Sequence, residues 1–418
     1  MIDSLRQFWK SPAGHGFIML AVMQFGYGFA QAATNTVNTN FFDDVLRFSG
    51  PQFGYMTAIR ELGGLCLILL MALLYRVSIQ RLTAMALLLM AVGYGLMGVA
   101  TNFFNVIPWI LIGSFGLHTV LQTQYSLGMS LTTPEKSGHV LGRMTAASQG
   151  GMFVAFVAVY LGFRFHLISY FWIFAICGLF ALMGAFVIFP FPHLHEGEQR
   201  KVAPKREPLV WRREYKYYYL LNLLDGVRQQ IFFSFGIWVL VSRFKFTVPD
   251  VALLMMSVTF VAILTSARIG RLLDRVDERR VLQVINIGYV IALGGYALSG
   301  NVVLACLFYL MYSFISPFST IGASTYLRKI AVPEEVAPSL AMGVTLLHAT
   351  AVVVPVVAGI ILHYVGYRVP FFIACGSALI MVGVTQKLNT KAQRTPARVA
   401  LDEARLAAAQ AQQMVAAE

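Results

Sequence analysis

The stretch Asn222 to Gln230, NLLDGVRQQ, sets an aspartate and an arginine three positions apart among amides, inside a run that is otherwise apolar. On a helix, Asp225 and Arg228 share a face. A carboxylate beside a guanidinium can exchange a proton, bind a charged group or lock two helices together, and Asn222 and Gln229 offer hydrogen bonds beside it. Arg60 and Glu61 form a second ionic step. Adjacent helical residues point about 100° apart, so each is expected to look for a partner other than its neighbour. His118 and Gln122, four apart, share a face, and a histidine can carry a proton near neutral pH; it can equally be a satisfied interhelical residue. Asn35 and Asn38 extend a polar stripe that includes Gln31 and Thr39, suited either to solute contact or to bonding between helices.

These residues lie in elements that composition identifies. The chain has 418 residues, 58% of them hydrophobic and only 12% charged, against about 25% charged in soluble domains. Its mean hydropathy is +0.68. At about twenty apolar residues per membrane span, twelve candidate spans emerge: 14–38, 51–75, 82–101, 105–130, 138–163 and 167–189, then 215–241, 249–273, 281–299, 302–327, 338–364 and 367–387. The expected fold class is therefore an all-α membrane protein of twelve transmembrane helices in two six-helix halves. The halves are 1–190 and 215–388, with a polar linker at 191–214 and a tail at 389–418. Proline-to-arginine intervals of similar length, from Pro51 to Arg76 and from Pro249 to Arg275, suggest a parallel duplication. A charged side chain at mid-bilayer costs about 2.5–3.5 kcal/mol or more, and such residues face a bundle interior or a wet cavity. The opening residues run straight into the first span and read as no cleaved signal peptide.

Lys and Arg concentrate in alternate loops. One side receives Arg6 and Lys10, Arg76 and Arg81, Lys136 and Arg143, the Arg200 to Lys216 cluster, Arg271 to Arg280, Arg328 and Lys329, and the basic residues from Lys387 onward; the other receives only Arg47, Arg164, Arg243, Lys245 and Arg368. The positive-inside rule then puts both termini in the cytoplasm, and a bacterial inner membrane is the expected location. Topology and contact with anionic lipid account for the net charge of +13, so nucleic acid is not an expected partner. The four cysteines fall in apolar runs without metal-ligand spacing, and neither a metal nor another cofactor is expected. The tail, rich in alanine, reads as a cytoplasmic helix with little apolar stripe.

After the eighth span comes IGRLLDRVDERR. Gly270, Leu272, Asp274, Arg275, Arg279 and Arg280 resemble the G-x-L-x-D-R-x-G-R-R loop of the major facilitator superfamily, and twelve spans with a basic central loop extend the resemblance over nearly the whole chain. Asp277 and Glu278 depart from that pattern, and the corresponding first-half loop, LYRVSIQRL, lacks its glycine and aspartate. The resemblance implies a gating latch at Gly270, Asp274, Arg275, Arg279 and Arg280. It also implies a central cavity lined by spans 1, 4, 7 and 10, with span 2 approaching the opposite half. Arg60 with Asp225 and Glu61 with Arg228 follow as expected cross-pairs, and Asp225 and Glu61 as the carboxylates that couple to protons; a static ion pair setting helix register is the competing role. Span 4 lacks the mid-span arginine of many proton-coupled members, and span 5 lacks the antiporter G-P-x-x-G-G run.

The implied function is secondary active transport of a small organic solute by alternating access, driven by protons, by a chain acting as a monomer. A non-transporting membrane assembly factor of the same fold is the alternative. An enzyme is not expected, because G-x-x-x-x-G-K-S/T, H-E-x-x-H and G-x-S-x-G are all absent.

Overall fold

The computed structural model describes residues 11–74, 76–132, 137–192, 211–273, 278–390 and 392–415. Among them, each of the twelve apolar stretches is helical. The first six give α1 (Pro12–Asn40), α2 (Gly50–Leu65) with its continuation α3 (Leu67–Leu73), α4 (Ile79–Gly95), α5 (Phe103–Met129), α6 (Ser137–Arg164) and α7 (Tyr170–Ile188). The rest give α8 (Lys216–Ser242), α9 (Val248–Leu273), α10 (Glu278–Leu298), α11 (Val302–Ile330), α12 (Pro333–Val365) and α13 (Arg368–Gln386), before the tail helix α14 (Pro396–Val415). Among the described residues, ten helices are long and apolar enough to cross a membrane. The charged and amide residues of α8 keep it out of that group, and within α9 the stretch Val248–Leu264 is apolar.

Helix starts follow local chemistry. Ser11 accepts from the Gly14 amide with Pro12 at the first helical position, and Ser49 forms a capping box with Gln52 ahead of α2. Asn102 and Asn105 do the same for α5. Two irregularities were not foreseen. The second span breaks at Cys66, just after Gly63 and Gly64, where helix propensity is low. The last turn of the first span winds into a five-residue π-helix, Phe41–Val45, holding Asp43 and Asp44.

Two compact units emerge from the packing. The first comprises residues 1–205 together with Ser234–Phe260 and Pro355–Tyr364; the second comprises Arg206–Phe233, Val261–Val354 and Val365–Glu418.

In the first unit, glycines let backbones touch. A Cβ on Gly28 of α1 would collide with the Ser148 carbonyl of α6, and one on Gly151 of α6 would collide with the Phe25 carbonyl of α1. Such close approach is how helices associate where lipid removes the hydrophobic drive. The same unit includes the last part of α8 and a short segment of α12. Phe53 stacks on Trp238 at 4.4 Å between centroids, Asn40 Nδ2 donates to the Phe246 carbonyl at 2.8 Å, and Gly54 lies against Pro355 and Gly359.

In the second unit, Tyr215, Tyr218, Tyr219, Tyr326 and Leu388 belong to one buried apolar cluster. Arg212 Nε and the Tyr215 hydroxyl both donate to Glu335, at 2.8 Å and 2.7 Å. The hydrogen bond to Glu335 raises the Arg212 pKa above its ordinary value. The root of α14 is fastened: the Thr395 amide donates to the Ile330 carbonyl at 3.1 Å and Arg398 Nη1 to the Ala331 carbonyl at 3.1 Å.

Candidate functional site

The second unit holds the stretch NLLDGVRQQ in the middle of α8. Arg228 Nη2 donates to Asp225 Oδ1, an i,i+3 ion pair. Arg228 Nη1 donates to the Tyr312 hydroxyl of α11 at 2.6 Å, and Ser319 Oγ, also on α11, donates to Asp225 Oδ1 at 2.9 Å. The guanidinium carbon lies 3.4 Å from the centroid of the Tyr289 ring of α10. Phe232, one turn beyond Arg228, stacks on Tyr312 at 3.5 Å.

The arginine is completely enclosed, at 0% exposure, and Asp225 is 7% exposed. Isolated charges could not be kept there; a pair, two hydroxyls and an aromatic face together offset the lost hydration. Gly226 makes the packing possible, since a Cβ there would collide with Thr350 Oγ1 of α12. Pro317 lies inside α11 between the two hydroxyls.

Asn222 spends its amide inside its own helix, donating to the Tyr218 carbonyl at 2.8 Å, and Gln229 is half-buried.

The first unit holds the other cluster. Arg60 pairs with its neighbour Glu61 after all, with Nη2 to Oε1 at 3.1 Å. The expectation that adjacent helical residues look elsewhere fails because the arginine stem is long enough to fold back along the helix surface. Within its own unit, Asp225 takes Arg228, and within the other, Glu61 takes Arg60. His118 Nε2 approaches Glu61 Oε2 at 4.0 Å, its Nδ1 lies 2.9 Å from the Ser114 carbonyl, and Ser114 Oγ donates to the Arg60 carbonyl. Gly63 packs on Ser114, bringing α2 against α5. The Arg60 side chain is 45% exposed, whereas those of Glu61 and His118 are 14% and 12% exposed.

Gln122, which the sequence groups with His118, is exposed, while Gln124, two residues on, is buried and accepts from Gln24 Nε2 at 2.8 Å. Asn35 is exposed and Asn38 half-buried on α1, with Asn38 Oδ1 lacking a partner among the described residues.

Of the proposed latch, Gly270 lies in the last turn of α9, and Arg279 and Arg280 begin α10, exposed; Asp274 and Arg275 lie outside the described residues.

Sequence reasoning missed Tyr289, whose ring completes the buried cluster; only the fold brings it to α8.

No group of three or more His, Cys, Asp or Glu side chains able to hold a metal occurs among the described residues. No curated protein matches the chain. Residues 218–408 match the model of the Major Facilitator Superfamily. Among solved structures, the nucleoside transporter NupG aligns with a TM-score of 0.74 at 15% identity, covering 89% of this chain and 98% of its own. A D-xylose–proton symporter aligns with a TM-score of 0.65 at 12% identity, covering 92% and 99%. A bacterial homologue of the iron transporter ferroportin gives 0.72 at 11% identity, covering 89% and 98%. At such identities the likeness is one of fold, and it is the fold that the sequence suggested.

Proposed function

We propose that this Major Facilitator Superfamily chain is a secondary active transporter that moves a small organic solute by alternating access of two six-helix halves, 1–190 and 215–388, with protons as the coupling ion. The observation that carries the reading is Asp225–Arg228, a carboxylate and a guanidinium kept buried in the middle of a membrane helix at a cost that bare packing would avoid.

Asp225 is the proton-responsive group. Arg228, enclosed by Tyr289 and Tyr312, restrains it. Arg60, the exposed cation of the other cluster, meets the solute, which favours an anionic or zwitterionic compound; Glu61 and His118 tune its charge. Asn35, Asn38, Asn222, Gln122 and Gln229 supply hydrogen bonds, and the loop from Gly270 to Arg280 latches the bundle. The basic loops favour cytoplasmic termini, a bacterial inner membrane and a monomeric carrier.

The test is transport in proteoliposomes under an imposed proton gradient. Asp225→Asn should abolish gradient-driven transport while leaving expression intact; full gradient-driven transport by that variant would refute the assignment.

A non-transporting assembly factor is the second reading, favoured by the first-half loop LYRVSIQRL, which lacks the glycine and aspartate of the latch. Stable copurification with a partner and no counterflow of any solute would select it.

A further inference from the structure

Where the linker runs into α8 and the tail begins, a hollow of about 320 Å³ is lined by Arg213, Glu214, Lys216, Tyr217, Gln393 and Arg394, together with Ala392. The sequence reading absorbed these basic residues into topology. Their placement says more: three cations face one carboxylate, a net of two positive charges around one cavity.

Both walls are built before anything binds. One wall precedes and begins α8, where buried Tyr215 is held on Glu335 and Trp211 stacks on Tyr219 at 4.7 Å. The other is fixed by Gln393, whose Oε1 accepts from the Tyr326 hydroxyl at 2.7 Å and whose Nε2 donates to the Lys387 carbonyl at 2.9 Å.

The cations keep donors in reserve. Lys216 sets its ammonium 5.1 Å from the centroid of the Tyr217 ring, and Arg213 has no ion-pair partner among the described residues. Arg394 Nη1 meets Asp402 at 3.0 Å, while its Nε is buried without an acceptor. Two guanidinium forks and an ammonium suit a compact group with several acceptor oxygens and more than one negative charge, which is the chemistry of phosphate. The volume lies at the small end of ligand pockets, enough for a phosphate and a short substituent.

We propose that this hollow binds a phosphate-bearing anion, either a lipid headgroup or a free phosphate compound, and that the bound group ties the tail to the base of α8. Its two walls are far apart in sequence, so an anion there adds a charged bridge to the apolar cluster that already joins them.

The test uses the full chain in phosphatidylcholine nanodiscs. Inorganic phosphate is titrated in solution, and nanodiscs containing phosphatidylglycerol are compared in parallel. Retention of phosphatidylglycerol alone marks a lipid headgroup; binding of inorganic phosphate marks a soluble compound. In either arm the exposed pair Arg213→Ala with Lys216→Ala should lose about tenfold or more in affinity. Arg81→Ala with Arg405→Ala, equal in charge and outside the hollow, should leave it within about twofold. No binding of either probe, or the same loss in both double variants, overturns the proposal.

Discussion

The two ionic clusters use the same ingredients to opposite ends. In the second unit, Asp225 and Arg228 lie one helical turn apart, and Ser319, Tyr312 and Tyr289 from neighbouring helices close around them. In the first, Arg60 and Glu61 lie side by side, with His118 at 4.0 Å and the arginine half open. The spacing of charges along a helix therefore says little about how strongly they are held. What decides it is how many other helices contribute a polar group. A closed cluster resists change until it fails as a whole, while an open one can be retuned at small cost.

Four substitutions sharpen or break that contrast. Arg228→Ala strands a buried carboxylate and should cost about 3–5 kcal/mol, seen as lost expression or a large fall in thermal midpoint; a mild effect would show that the closed cluster is not a unit. Tyr312→Phe removes one hydroxyl from a charged donor and should cost about 1.5–3 kcal/mol by the same measurement. Gly226→Ala forces a methyl into Thr350 and should cost about 1–3 kcal/mol, with Thr350→Ala in the same chain recovering much of it. Arg60→Ala, at the open cluster, should cost under about 1 kcal/mol. A loss there as large as at Arg228 would erase the distinction.

The twelve helices were legible because a span needs a long apolar run and lipid allows little else. Their ends agree closely because the same residues that stop an apolar run, such as Ser49, Pro51, Asn102 and Asn301, also cap helices. The break at Cys66 and the π-helix at Phe41–Val45 were not legible, since both are local responses to packing. Asp225 and Arg228 stood out as charges in an apolar run. Tyr289 did not, because a tyrosine in a membrane helix costs little and marks nothing until a neighbour is known. The pairing of Arg60 with Glu61 was misjudged for a related reason: helix geometry fixes the Cβ direction, but not where a long flexible stem carries its charge. The tail was legible as a helix; its anchorage through Thr395 and Arg398 depends on carbonyls at the C-terminal end of α11.

Helix α8 carries a consequence for how the protein is made. It is too polar to join the ten helices that qualify as spans on their own, and the groups that neutralise it, Tyr289, Tyr312 and Ser319, are synthesised later. A chain truncated after α8 is therefore expected to insert that helix less efficiently than one that continues through α11, and glycosylation mapping of the two truncations in an insertion assay reads the difference.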